Sequence, residues 1–556
     1  MTDLDVPGTT RILDASGEIV DANNFTLVPE PSSDPEDPLN WSAGRKRIQL
    51  TCVVLYTIAW CFCTGCLAAI YEPVSAETGL SLADLNSGVG YVYLCLGIFQ
   101  LFTQPLALSI GKRPVYIMGM LGSAVFPFWV TRVKSLGEWY GACVYLGFVG
   151  SPLFVLPELS LTDTFFYHER GLPLGIYVAG TYGGALGSPI LSGFIYSGLG
   201  WKGPPYFAGG AILVVALILI VFLEETNFRR VSAPVVTMDQ VHNQVGDDKN
   251  VTLHTVTAVD EKTNEKATDI VVEEQKHNEY LVHSRDRLIT PWPGPRPWKM
   301  FTISPNARGL MWRGILYPLC MLRLPIILWC GVIFALYQVF YNGMVALSSG
   351  VLGAEPYNMA PNMVGLSFVS PLIAIIPGAV AGGYIVDRFT IRQARRNHGI
   401  SEAEHKLKLM IFPTVLAPLG LLMIGLGPYY RAHWIVFVLG EFVLTISGPL
   451  ATLLSLTYAF DSFHDLEPEE DKRNGPQAET QHCGPYVQAV ILIALTITFA
   501  FNYVITPWAF GGGFLVYGTT AAAMATVINL TYLLMLKYGK RLRQSGAPYY
   551  RKIINW

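Results

Sequence analysis

The apolar residues of this chain are gathered into runs of about twenty, and runs of that length leave few folds open. Crossing the roughly 30 Å hydrocarbon core of a bilayer takes about 20 apolar residues in a helix. Backbone N–H and C=O groups in lipid must be satisfied within the segment, so such runs read as helices. Twelve qualify: 48–70, 88–108, 114–131, 140–162, 172–195 and 205–223 in the first half, then 318–341, 364–386, 408–427, 434–457, 487–508 and 514–536 in the second. The strongest are the first and the last; the weakest, 140–162, contains Pro152, Pro157 and Glu158. Only 14% of the residues are charged, against about 25% in ordinary soluble domains. The expected fold class is an all-α membrane protein with twelve transmembrane helices in two six-helix bundles.

Orientation follows from basic residues, which accumulate on the cytoplasmic side. One set of short connections holds Arg45, Lys46, Arg47, Lys112, Arg113, Arg170, Arg388, Arg392, Arg395 and Arg396, and the tail adds Lys540, Arg541 and Arg543. The opposite set holds only Arg132, Lys134, Lys202 and Arg431. Both termini are therefore expected in the cytoplasm, as an even number of crossings also requires. The sequons at Asn24, Asn40 and Asn250 then face the cytoplasm and carry no glycan. The plasma membrane is the expected location, with the vacuolar membrane as the alternative.

Between the sixth and seventh runs the chain changes character. Residues 224–297 are charged and poor in aromatics until their end, a composition that cannot bury a core. The expected organisation is a disordered acidic N-terminus (1–45), a first six-helix bundle (46–223), a largely disordered cytoplasmic linker (224–317), a second bundle (318–537) and a cytoplasmic tail (538–556). No apolar core near Met1 suggests a cleaved signal peptide. A net charge of -3 provides no basic face for nucleic acid. The nine cysteines lack paired spacing, and eight lie in apolar runs, where a thiol behaves as a small hydrophobe. No metal site or cofactor is expected.

The fifth run contains GIYVAGTYGGALGSPILSGFI (175–195), with six glycines and a proline. Gly costs about 1 kcal/mol against Ala in a helix interior, and Pro about 3. Helices in lipid gain little from apolar burial and associate through close backbone approach, which small residues permit. Gly180, Gly184 and Gly187 share one face; Ser188 and Ser192 extend a neighbouring strip; Pro189 removes a backbone hydrogen bond and bends the helix. The helix is built to lie tightly on a partner and to flex.

The spacing of Gly175, Gly184, Ser188, Pro189, Ser192 and Gly193 resembles the fifth-helix signature of proton-driven exporters in the major facilitator superfamily, with two of its glycines replaced by serine. Other stretches resemble the fungal drug:proton antiporter branch of that superfamily: DPLNWSAGRK (37–46), RPVYIMG (113–119), LPELSLTDTFFYHERG (156–171), LEET (223–226), YAFDSF (458–463), ITPWAF (505–510) and YGKRLR (538–543). The resemblance implies the major facilitator fold, with a bend at the junction of its two halves. It also implies a cytoplasmic gate, kept in the second half as GYIVDR (383–388), with Gly383, Asp387 and Arg388, and accompanied by Asp163 and Arg170. In the first half Leu108 and Ser109 stand where the superfamily has Asp and Arg, and Cys143 stands at the position of a fourth-helix Arg tied to proton coupling.

Ionisable groups at bilayer depth are costly, and so are functional candidates. Glu441 lies closest to the midplane, in the tenth run; Glu158 lies in the inner half of the fourth. Either is a structural hydrogen-bonding group or a proton or cation site. By depth, Trp60, Tyr177, Tyr182, Tyr337, Gln338, Tyr341 and Asn342 are candidates for a central pocket, since transporter sites lie near the midplane between repeats. The competing reading makes the aromatics interfacial belts. An aromatic lining with one or two acids suits a cationic or amphipathic solute, because ring faces attract cations.

The function expected is a secondary transporter, acting as a monomer by alternating access and exporting a small organic solute in exchange for protons. Uptake of a nutrient or polyamine by symport or facilitation is an alternative, and a non-transporting receptor is an alternative of another class. No nucleotide-binding loop or metal cluster points to an enzyme.

Overall fold

A computed structural model describes residues 9–11, 32, 34, 36–228, 299–463 and 477–554, apart from short breaks at 167–168, 170, 304–306 and 398–399. The structure is a helical membrane protein. The first bundle consists of Ala43–Gly65, Leu82–Ile110, Lys112–Ser123 with Val125–Val130, Leu136–Val149 with Leu156–Thr164, Gly171–Leu199 and Gly203–Phe222, as the first to sixth spans. The second consists of Pro325–Leu352, Pro361–Ser367 with Val369–Val380, Ile411–Tyr429, Trp434–Phe463, Gln477–Thr506 and Phe514–Leu530, as the seventh to twelfth. Nine helices among the described residues cross a membrane by length and composition alone. The third and fourth spans miss that measure because each is broken into two helices. The fifth is 29 residues long but diluted by glycine.

The seventh span differs from the sequence reading at both ends, for physical reasons. The linker expected through 317 is helical at its end: Ala307–Met321 forms a connecting helix, and the seventh span begins only at Pro325. LYPLCMLRLPIILWC (316–330) is apolar with a single charge, so hydropathy alone does not see the turn before Pro325. Pro is well placed there, because the first turn of a helix has no N–H partner to lose. That span also continues to Leu352, past Asn342, Ser348 and Ser349, whose polar groups are buried inside the protein. Among the described residues, one short pairing departs from an all-helical chain: Thr9–Arg11 pairs antiparallel with Ile400–Glu402.

Each bundle is clamped on the face that carries the termini. In the first, Lys112 Nζ at the head of the third span lies 2.5 Å from Asp163 Oδ2 at the end of the fourth. In the second, Lys406 Nζ ahead of the ninth span lies 2.6 Å from Asp461 Oδ2 at the end of the tenth. The two ion pairs occupy equivalent places in the two halves, as a duplicated bundle requires. A deeper pair joins each bundle's last span. Arg45 grips Glu224 with two nitrogens, at 2.9 and 2.6 Å, while its guanidinium stacks 4.2 Å from the Trp41 ring. Arg543 likewise grips Glu404, both buried. Bidentate Arg–carboxylate geometry adds orientation to the charge attraction.

LEET (223–226) explains one further local choice. The Glu225 carboxylate accepts the backbone N–H groups of Lys112 and Arg113, at 3.0 and 3.1 Å. It thereby satisfies donors that the head of the third span leaves unpaired. Burial pushes this carboxyl above its usual range, and the N–H groups of Asn227, Lys112 and Arg113, with the Lys112 ammonium, pull the other way. Gly111 is required at the turn: its φ is +115° and a Cβ would sit 2.5 Å from Glu225 Oε2. The Asn40 amide donates to the Ser32 and Asp34 carbonyls.

The bundles meet along two seams. The second and eleventh spans pack along their lengths: Asn86 Nδ2 donates to Thr506 Oγ1 at 2.8 Å, and Gln100 and Gln488 each donate a side-chain N–H to the other's backbone carbonyl, at 3.3 and 3.2 Å. The fifth and eighth spans touch at the face opposite the termini, where a Cβ on Gly193 would lie 2.5 Å from the Pro361 carbonyl and one on Gly365 2.5 Å from that of Pro189. Toward the terminal face the fifth span exposes Leu172 and Ile176, and the π-helical turn that follows the eighth, Ala381–Ile385, exposes Tyr384 and Ile385.

Candidate functional site

Between the bundles lies a small cavity, lined by Tyr182 of the fifth span, Gln338, Tyr341 and Met344 of the seventh, and Thr445 and Thr452 of the tenth. Gln338, Tyr341 and Met344 are three apart, which puts them on one helical face. Tyr182 and Tyr341 meet edge-on across the bundles, ring centroids 6.2 Å apart, the geometry favoured by aromatic quadrupoles. Tyr337 also lines the cavity, but its hydroxyl donates to Asn529 Oδ1 of the twelfth span at 3.1 Å. Its ring is shared; its polar end is committed to the bundle interior.

Glu441 is completely buried, one helical turn before Leu444 and Thr445 of the cavity wall. Its Oε1 lies 2.7 Å from Ser348 Oγ, which also lies 2.7 Å from the Met344 carbonyl. Its Oε2 has no hydrogen-bond partner of normal geometry among the described residues. Ser367 is a second serine beside the carboxyl, and a buried carboxyl needs such polar neighbours. The carboxyl sits just beyond the cavity, toward the face opposite the termini.

The remaining candidates separate. Glu158 lies beside Tyr177, which packs with Val53 and Leu161 inside the first bundle. Trp60 is buried against Gly150 and lines a second cavity, within the first bundle. Asn342 is bonded across the bundles: Tyr93 Oη of the second span donates to its Oδ1 at 2.9 Å. Asp163 pairs with Lys112 of its own bundle. Gly383 lies in a π-helical turn, Ala381–Ile385, with open space around it, and the exposed Arg388 covers the Tyr384 ring at 4.6 Å. Arg170 and the Asp387 side chain lie outside the described residues.

The fifth-span signature divides into two jobs. A Cβ on Gly184 would lie 2.6 Å from the Ile58 carbonyl of the first span, and Ser188 Oγ donates to the Phe62 carbonyl at 2.7 Å. Those positions fasten the fifth span to its own bundle. Pro189 and Gly193 form the contact with the eighth span of the other. Ser192 Oγ donates to the Ser188 carbonyl at 2.8 Å, which keeps its polarity within the helix. A Cβ added at Gly175 or Gly187 would meet no other part of the protein within 4 Å.

The sequence reading did not single out Tyr93, Met344, Ser348, Thr445 or Thr452. All five sit in apolar or small-residue runs, where neither charge nor spacing marks them.

A small tyrosine-lined cavity at the seam of two equivalent six-helix bundles is the architecture of a membrane transporter. The Major Facilitator Superfamily model matches residues 44–468, and the chain belongs to that family, whose members are transporters rather than enzymes. An MFS-type transporter of Schizosaccharomyces pombe is 26% identical over 98% of this chain and 91% of its own length. Protein HOL1 of Saccharomyces cerevisiae is 24% identical over 96% and 93%. The MFS antiporter QDR3 of Candida albicans is 20% identical over 79% and 71%. Among solved structures, a peptide transporter, POT, shares the fold with a TM-score of 0.56 at 13% identity, covering 92% of this chain and 99% of that one.

Proposed function

We propose that this transporter exports a small organic cation, or an amphipathic molecule with a cationic end, in exchange for protons. The cation binds in the tyrosine-lined cavity, and Glu441 carries the exchanged proton. The reading is carried by the Glu441–Ser348 contact. A serine hydroxyl has one proton to donate, yet Ser348 Oγ is 2.7 Å from both the Met344 carbonyl and Glu441 Oε1. When Glu441 is ionised, the hydroxyl donates to it. When Glu441 is protonated, the carboxyl donates to Ser348, and Ser348 donates to the helix carbonyl. The same atoms therefore serve both protonation states without rearrangement, as suits a group that is loaded and unloaded in each cycle.

Ionised Glu441 attracts a cation in the adjoining cavity, and its protonation removes that attraction and releases the cation. The contact between the fifth and eighth spans closes the extracellular side in this conformation, and the exposed stretches of those spans flank the cytoplasmic opening. The antiporter relative in Candida albicans supports exchange rather than symport. Flux of a panel of permanently charged organic cations into proteoliposomes with an imposed pH gradient tests the proposal. Exchange predicts accumulation on the acidic side; flux that ignores the gradient refutes the coupling.

A further inference from the structure

We propose that the connecting helix, Ala307–Met321, binds anionic phospholipid of the leaflet on the terminal side, with Arg308 and Arg323 on headgroup phosphates and Trp312, Leu316 and Leu319 against the acyl chains. Such a role needs only the membrane-spanning fold and the orientation that the basic connections imply, whatever the solute. Contacts place the helix at the level of the membrane surface. Ser109 Oγ, near the end of the second span, lies 3.4 Å from the Ala307 carbonyl, and Gly314 sits against Pro105, one turn deeper in the same span. The helix also packs on the eleventh span. At its far end Tyr549 Oη of the tail helix, Tyr532–Ile554, donates to the Cys320 carbonyl at 3.3 Å.

Arg308, Trp312, Leu316 and Leu319 recur every three or four residues, which keeps them on one helical face, and Arg323 follows just past the helix end. All five are exposed, Trp312 by 67%, whereas Tyr317, Pro318 and Met321 are buried. Phe301 and Ile303, just ahead of the helix, are exposed as well. A contiguous apolar strip is a liability in water. At a bilayer surface Trp is favoured, and the apolar face of an amphipathic helix sinks to the acyl boundary. Arginines close the strip at both ends, and their stems can run along apolar surface to the headgroups. Charge complementarity selects the lipid. Residues 299–323 hold Lys299, Arg308, Arg313 and Arg323 and no acid; Lys299 pairs with Glu36, and exposed Lys552 follows Tyr549 by one turn. The guanidinium fork matches phosphate, and the cytoplasmic leaflet is the anionic one.

Native mass spectrometry of the full-length protein, titrated with phosphatidylserine or phosphatidylcholine, tests the assignment. The unaltered protein should bind its first phosphatidylserine more tightly than its first phosphatidylcholine. Arg308→Gln combined with Arg323→Gln should weaken phosphatidylserine binding by about tenfold or more, as expected for two arginines at an anionic surface, and leave phosphatidylcholine binding unchanged, which misfolding would not. Lys134→Gln, at an exposed lysine on the other side of the membrane, should change neither. A benzophenone side chain at position 316 should cross-link to lipid, and glycerophosphoserine, the headgroup without chains, should not displace the bound phospholipid. Equal affinities for the two lipids overturn the assignment, as does a loss shared equally by both lipids or matched by Lys134→Gln. Displacement by glycerophosphoserine would reduce the site to a phosphate site. Cross-linking to residues 229–298 would show that the chain itself, rather than lipid, covers the strip; either result refutes lipid binding.

Discussion

At the scale of single residues, Glu441 separates chemistry from packing. Its carboxyl is wholly buried, with Ser348 Oγ 2.7 Å from Oε1 and Ser367 as a second serine beside it. Glu441→Gln keeps the volume and an acceptor for Ser348 but cannot exchange a proton. Flux in proteoliposomes should lose its dependence on the pH gradient, while the thermal midpoint in detergent stays near that of the unaltered protein. A purely structural carboxyl would give the reverse, a shifted midpoint with coupling intact. The position of Glu441 was legible in the sequence because a charge in the middle of an apolar run is conspicuous. Its partner was not. Ser348 lies in VALSSG (345–350), where a small residue serves equally for packing or for hydrogen bonding, and only the fold brings it within 2.7 Å.

At the scale of elements, the glycine-rich span shows how far a pattern reaches. Small residues at spacings of three and four announce a close helix contact, and the sequence reading gave the whole face to one partner. The structure divides it: Gly184 and Ser188 contact the first span, and Pro189 and Gly193 contact the eighth. A helical face fixes which residues point together, whereas its neighbour depends on the topology of the entire bundle. Gly→Ala substitutions follow the division. At Gly175 and Gly187, with open space around them, Ala should stabilise by up to about 1 kcal/mol through helix propensity. At Gly184, where the new Cβ would meet the Ile58 carbonyl at 2.6 Å, it should destabilise by about 1–3 kcal/mol through overpacking. Thermal unfolding of the three variants in one detergent distinguishes the opposite signs. The unexpected connecting helix, Ala307–Met321, has the same lesson. Its Gly314 sits against Pro105 of the second span, a contact that hydropathy along the chain cannot register.

At the scale of the whole molecule, duplication is written in the charge clamps as well as in the helix count. The Lys112–Asp163 and Lys406–Asp461 pairs hold equivalent corners of the two bundles, and Arg45–Glu224 and Arg543–Glu404 tie in the last spans. Removing one partner of a buried pair strands the other charge, at a cost of about 3–5 kcal/mol. Glu224→Ala and Glu404→Ala should therefore each lower the thermal midpoint strongly, as read by detergent-solubilised unfolding, whereas Lys299→Ala at a partly exposed pair should change it little. Each bundle is thus held as a stiff unit. Between the bundles, the fifth and eighth spans meet through close glycine contacts at one face, and the proposed function has the two bundles rock about that contact.

That rocking is the central claim, and paired distances measure it most directly. Spin labels at Leu199→Cys and Met363→Cys report the face where the fifth and eighth spans touch, and labels at Leu172→Cys and Tyr384→Cys report the opposite face; all four native residues are exposed. Double electron–electron resonance on protein reconstituted at alkaline and acidic pH, with and without a bound organic cation, should show the first distance lengthening in the conditions where the second shortens. Two distances that stay fixed, or that change in the same direction, would contradict alternating access by these two bundles.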